Sequence, residues 1–276
     1  MHHLLYITWD VSPELFSVGP ITIRYYGLLF VLGFIVGYYI FKRYYRIEGI
    51  PETEVDRFSV WVFVGAILGA RLGHILFYEP AYYLENPLDI FKVWEGGLAS
   101  HGGTIGLFIA LWFYSKRKFS RYLWVLDRMS MPTALAGASI RLGNLMNSEI
   151  YGHDTLMPWG FIFVRDGQTL PRHPTQIYEA LCYIAIFVFL WFLYNRKKAQ
   201  TPRGLMIGWF MILVFGARFM IEFVKEVQVG FEQDMIINMG QVLSIPFIIA
   251  GIVFLLLSRK VPITSNEDIG IIKKKE

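Results

Sequence analysis

Seven stretches of roughly twenty mostly apolar residues punctuate the chain, at 24–41, 58–78, 98–115, 123–143, 176–194, 204–224 and 236–257. Between them lie short basic connections or longer segments rich in Tyr, Pro and Trp. About twenty apolar residues in a helix suffice to cross a ~30 Å hydrocarbon core. The pattern therefore predicts seven membrane-spanning helices in a single integral membrane domain over 1–276. The fourth stretch carries Asp127 and Arg128 near its start and Pro132 soon after, which predicts a short or kinked helix packed partly against protein. The connections 79–97 and 144–175 are long but aromatic, and predict an ordered cap on one face of the bundle.

Composition agrees with this reading. Hydrophobic residues make up 55% and aromatics 17% of the 276 residues, too apolar for a soluble domain of this length. The fold class expected is all-α, a polytopic membrane bundle.

Charge then orients the bundle. Lys42, Arg43, Arg46 and Arg57 follow the first span, Lys116, Arg117, Lys118 and Arg121 the third, Arg196, Lys197, Lys198 and Arg203 the fifth, and Arg259, Lys260 and Lys273 to Lys275 the seventh. The alternate connections hold only Lys92, Arg165, Arg172 and Lys225. Basic residues mark the cytoplasmic side, so the N-terminus is expected outside and the basic tail 259–276 in the cytoplasm. This asymmetry explains the net charge of +4 through anionic headgroups and gives no reason to expect nucleic acid. Residues 1–20 lack a basic segment followed by an apolar one, so no cleavable signal peptide is expected. The single cysteine, Cys182, excludes an intrachain disulfide and reads as packing.

Within so apolar a chain, the ionisable groups need partners or ligands. Arg141, Asn144, Asn147 and Glu149 lie in or beside one small-residue segment. Arg218 and Glu222, four residues apart, share a helical face. Together Arg141 and Arg218 exceed what Glu222 alone neutralises, which points to an anionic ligand suited to a planar guanidinium fork. His101 stands between glycine pairs, 96–97 and 102–103, whose lack of side chains lets a backbone or headgroup approach. Arg71, between small residues, reads equally as structural or functional. Tyr26 opens the first span, and His173-Pro-Thr-Gln-Ile-Tyr-Glu179 opens the fifth. There is no serine elbow, no zinc-spaced histidine pair and no phosphate-cradling glycine loop with its lysine, so neither metal nor cofactor is expected.

These residues fall in ordered blocks: Arg24 to Gly27, Gly69 to Gly73, Trp94 to Gly103, Arg141 to Gly152, His173 to Glu179, Arg218 to Glu222 and Gly240 to Pro246. In this arrangement the chain resembles the bacterial prolipoprotein diacylglyceryl transferases, most specifically over Arg141 to Gly152. The resemblance implies seven inner-membrane helices. It also implies transfer of an sn-1,2-diacylglyceryl group from phosphatidylglycerol to the lipobox cysteine of a preprolipoprotein, with release of glycerol 1-phosphate. By that resemblance Tyr26, His101, Arg141, Arg218 and Glu222 would be catalytic. Arg141, Asn144, Glu149, Gly152 and Arg218 would bind phosphatidylglycerol. One position departs from the family: Val214 stands where a tyrosine is common. The partners expected are the lipid and the signal-peptide-bearing substrate, and the protein is expected to act as a monomer. A transporter of an anionic lipid is the rival class, but the inverted repeats common in transporters are not evident.

Overall fold

A computed structural model describes residues 6–19, 21–93, 96–116, 119–226 and 237–260. Trp94 and Glu95 of the expected motif blocks lie outside the described residues, as do Arg117, Lys118 and residues 261–276 of the basic tail. The described chain is mostly helical. Its long helices are α1 (Tyr25–Ile47), α2 (Thr53–Phe77), α4 (Ser100–Tyr114), α5 (Phe119–Met146), α6 (Thr175–Lys197), α7 (Leu205–Ile221) and α8 (Met239–Ser258), with a short α3 (Pro80–Glu85). The all-α expectation needs one amendment. Strands β1 (Ile7–Trp9) and β4 (Phe161–Phe163) pair in parallel, and β2 (Glu14–Val18) and β3 (Ile21–Arg24) form an antiparallel hairpin. Both sheets use segments outside the apolar stretches, where backbone groups not satisfied within a helix pair between strands.

Among the described residues, five helices are long and apolar enough to cross a membrane: α1, α2, and α6 to α8. The other two expected spans became α4 and α5. With 15 residues, α4 extends only about 22 Å at the helical rise. At 28 residues α5 is longer than expected, with Pro132 inside it. It is also more polar, and Leu123 to Arg128, Ser130 and Met131 are buried in protein.

The chain divides into two compact units, one built on residues 1–40 and 127–263, the other on Phe41–Leu126. In the second, α2 packs on α4 through glycines. Gly65, Gly69 and Gly73 recur every fourth residue, on one helical face. A Cβ on Gly69 would lie 2.4 Å from the Gly102 carbonyl oxygen, and one on Gly106 2.4 Å from that of Gly65. Such small-residue seams let helix backbones approach closely. Arg71 is buried in the same unit and donates from Nε to the Ile90 carbonyl at 2.9 Å and from Nη1 to that of Gly96 at 2.7 Å, with a further bond to the Asp89 carbonyl. Its position is thus structural: it anchors the connection that follows α3.

In the first unit, α7 packs on α6 and α8. Its N-terminal amides are satisfied from another helix. Buried Asp127 of α5 accepts from Gly204 N at 2.7 Å and Ile207 N at 2.9 Å, supplying the carboxylate that a helix start favours. Asn238 and Gln241 close a reciprocal capping box at the start of α8.

Candidate functional site

The C-terminal end of α5 and the turn after it form the centre of the site. Beyond Met146 the chain reverses through Ser148 and Ile150, whose φ values of 55° and 61° cost non-glycine residues of order 1–3 kcal/mol each. Several bonds hold the turn against that cost. Gln176 Nε2 donates to the Glu149 carbonyl at 2.7 Å, and Thr175 Oγ1 to that of Ile150 at 2.9 Å. The turn folds the Glu149 carboxylate back to accept from Asn144 Nδ2 at 2.8 Å and Asn147 Nδ2 at 3.1 Å. This is why two carboxamides precede Glu149 by five and two residues. A small apolar core of Leu145, Tyr151, Phe161 and Phe163, with Trp9 and Ile177 against it, seats the turn. Trp9 Nε1 donates to the Leu145 carbonyl at 3.0 Å.

Arg141, one helical turn back, forms an ion pair through Nε with Glu179 Oε2. Its Nη1 reaches Asn144 Oδ1 only at 3.4 Å. The Glu179 side chain is 1% exposed, and its other oxygen faces Lys225 Nζ at 3.5 Å. Lys225 also faces Glu222 Oε2 at 3.8 Å. Burial pushes the Lys225 ammonium below its ordinary range; Glu179 and Glu222 oppose that shift, and Arg141 and Arg218 add to it. Glu222 occupies space that only a glycine opposite it leaves free, because a Cβ on Gly240 would lie 2.3 Å from its Cδ.

The expected residues divide as follows. Arg141, Asn144 and Glu149 form one bonded chain, and Glu222 joins Arg141 through Lys225 and Glu179. Glu222 lies in the 3-10 turn after α7, and its ion pair is with Lys225, not with Arg218. Arg218 is half-buried and, among the described residues, its guanidinium makes no ion pair or hydrogen bond. Its field nonetheless reaches Lys225. The Tyr26 ring, in the first turn of α1, lies against Gly143, where a Cβ would sit 2.6 Å from Tyr26 Cδ2. Gly152 has a backbone role: its N–H donates to the His173 carbonyl at 2.8 Å, and a Cβ there would lie 2.2 Å from the Val224 carbonyl oxygen. That close approach admits the strand-like segment that carries Lys225.

His101 belongs to the other unit, in the first turn of α4, and is exposed. Gly102 beside it packs on the α2 backbone, and a Cβ on Gly103 would lie 3.3 Å from the Ala66 carbonyl. Those two glycines serve helix packing, not the approach of a headgroup.

Sequence reasoning passed over Lys225 and gave Glu179 no partner. The available signal was weak: Lys225 follows Glu222 by three residues, and Glu179 closes the block that opens α6.

Comparison with known proteins gives the chemistry a context. The family model for prolipoprotein diacylglyceryl transferase matches residues 13–257. The chain is 50% identical over 253 residues to a phosphatidylglycerol–prolipoprotein diacylglyceryl transferase of Tolumonas auensis, covering 91% of this chain and 97% of the relative. It is likewise 50% identical over 276 residues to the enzyme of that description from Porphyromonas gingivalis, covering 95% and 98%. For the corresponding Chloroherpeton thalassium protein the identity is 46% over 256 residues, covering 92% and 95%.

Proposed function

Because the chain belongs to the prolipoprotein diacylglyceryl transferase family, and so moves a diacylglyceryl group from phosphatidylglycerol to a prolipoprotein, we propose that Arg141 and Arg218 hold the phosphate of the lipid. The carrying observation is the half-buried Arg218, whose guanidinium has no ion pair or hydrogen bond among the described residues in a cluster where the buried carboxylates are already engaged. A half-buried guanidinium without a counter-charge among the described residues favours an anion, and its fork matches phosphate oxygens.

The reaction joins the thiolate sulfur of the lipobox cysteine to the terminal glycerol carbon of the diacylglyceryl group. The carbon–oxygen bond to phosphate breaks, and its electron pair leaves on glycerol 1-phosphate, whose phosphate gains a negative charge. Donors aimed at that developing charge are each worth about 3 kcal/mol. The nucleophile comes from the substrate, so Cys182 has no part in the chemistry. Asn144, Glu149, Glu222 and Tyr26 orient the arginines and the lipid, and Gly152 holds the backbone that frames them. His101, on the strength of the family resemblance, takes the thiol proton.

The same reading extends to topology. Seven helices span the bacterial inner membrane, α4 and α5 among them. The N-terminus lies outside, the basic tail lies in the cytoplasm, and 79–97 and 144–175 lie on the outer face. The enzyme acts as a monomer.

The test uses detergent-purified protein, phosphatidylglycerol and a lipobox peptide read by mass spectrometry. Arg218→Lys should lose most activity, since a point charge does not reproduce the fork. Full activity in that variant would refute bidentate phosphate recognition. His101→Gln should lose most of the rate; substantial remaining activity would reduce His101 to substrate positioning.

A further inference from the structure

Lys225 is the best-buried cation of the cluster, with 4% of its side chain exposed, against 13% for Arg141. Lys225 faces two buried carboxylates, Glu179 and Glu222, Arg141 faces the first of them, and Arg218 acts on Lys225 as a third cation. Among the buried and half-buried groups one positive charge is in surplus, which matches a phosphodiester monoanion; the Glu149 carboxylate of the same bonded chain is exposed and screened by water. Glu179 is shared: Arg141 Nε faces one oxygen and Lys225 Nζ faces the other. An arginine and a carboxylate left to themselves commonly close into a two-bond fork, but here the Arg141 contact is through Nε and Lys225 Nζ stands at the second oxygen.

We propose that Lys225 is a positioning residue of the transfer reaction: by occupying Glu179 Oε1 it prevents that carboxylate from closing bidentately on Arg141 through Nε and Nη2, and so leaves Nη2 for the lipid phosphate. Lys225 acts through Glu179. Its own ammonium is enclosed by the two carboxylates, and the strap that carries it is fixed by the Gly152 backbone approach and by the bond from His153 N to the Val224 carbonyl at 2.9 Å. Without the lysine, Glu179 turns its second oxygen to Arg141, and the cluster loses the charge surplus that favours an anion. This inference rests on Arg141 as a phosphate ligand.

A double-mutant cycle tests it on the full-length enzyme in detergent, with KM for phosphatidylglycerol, KM for the lipobox peptide, kcat and the unfolding midpoint measured for each variant. Lys225→Met should raise KM for the lipid about tenfold or more while leaving KM for the peptide within about threefold. In the Glu179→Gln background the same change should cost less than about threefold, because the interaction it protects is already gone. Lys225→Arg, which keeps a cation on Glu179, should restore most of the lipid affinity. An equal cost in both backgrounds would make Lys225 an independent phosphate contact and overturn the proposal, as would a lowered unfolding midpoint with lipid KM unchanged. Lys225→Gln enters the same cycle if the Met variant does not purify folded, and failure of both to fold would assign Lys225 to stability alone. Arg141→Ala separates the premise from the inference. If that variant keeps lipid KM within about threefold, the phosphate assignment itself fails; if it loses lipid binding while Lys225→Met does not, only the Lys225 role fails.

Discussion

Replacing Gly143 by alanine adds one methyl group where α5 faces the first turn of α1. An ideal Cβ at that position lies 2.6 Å from Tyr26 Cδ2, 3.1 Å from Cγ and 3.2 Å from Cε2. Ordinary carbon–carbon contact is about 3.5–4.0 Å, so the ring has to retreat by about 1 Å or α1 has to shift. Relief of that overlap should cost roughly 1–3 kcal/mol of stability. The functional cost should be larger in proportion, since a displacement of about 1 Å in a positioning group can lower a rate by about a hundredfold. The assay is initial-rate transfer to a lipobox peptide, paired with thermal unfolding, for Gly143→Ala, Tyr26→Phe and the double variant. Gly143→Ala should stay folded and lose between about ten- and a hundredfold in kcat/KM. The losses should not add in the double variant, because both act on one ring. Wild-type rates in Gly143→Ala alongside an inactive Tyr26→Phe would refute the claim that this contact sets the working position of the ring.

Three further outcomes follow from the geometry. Asp127→Ala should destabilise the protein by roughly 2–6 kcal/mol, since it strands two amide donors at the start of α7 at about 1–3 kcal/mol each. Asp127→Asn, which keeps one accepting oxygen, should cost about half as much in thermal unfolding; equal losses would show that the cap is not the reason for Asp127. Gly102→Val should separate α2 from α4 in the second unit, because a Cβ there meets the Gly69 carbonyl oxygen at 2.3 Å and that backbone cannot give way. The expected result is loss of folded yield, against a near-neutral Gly216→Ala control whose Cβ meets nothing within 4 Å. Burial, and then His153 nearby, hold His173 below its ordinary pKa. Its neutral form is therefore the one the fold favours, and stability should fall as pH drops from about 6.5 toward the lower folded value. His173→Gln should flatten that slope in unfolding midpoints between pH 7.5 and 5; an unchanged slope would assign the effect elsewhere.

The legible part of the site was the part written in contiguous residues. Asn144, Asn147 and Glu149 meet because one helix end and one turn bring them together, and the spacing alone carries that information. Arg141 was marked by being a charge among small residues. Its partner was not, because Glu179 lies on another helix 38 residues away and resembles ordinary helix-start chemistry. Lys225 looked like one more basic residue in a connection. Only the close approach of Gly152 to Val224 shows that the segment turns inward. The glycines near His101 led the other way: they suggested room for a headgroup, and Gly102 and Gly103 proved to be filled by the α2 backbone.

The sequence by itself determined the class of the protein, since apolar segments of spanning length and one-sided basic connections are local properties of the chain. It also determined the family, because ordered motif blocks survive without any knowledge of distance. Tertiary structure decided which charges share a carboxylate, which glycine serves a backbone and which a side chain, and which arginine is anchored. Arg71, Arg141 and Arg218 have similar small or apolar neighbours in sequence. One is held by backbone carbonyls, one by Glu179, and one has no such partner among the described residues. The physical reason is that the cost of burying a charge depends on the groups within a few ångströms of it, and those come from elements far apart along the chain.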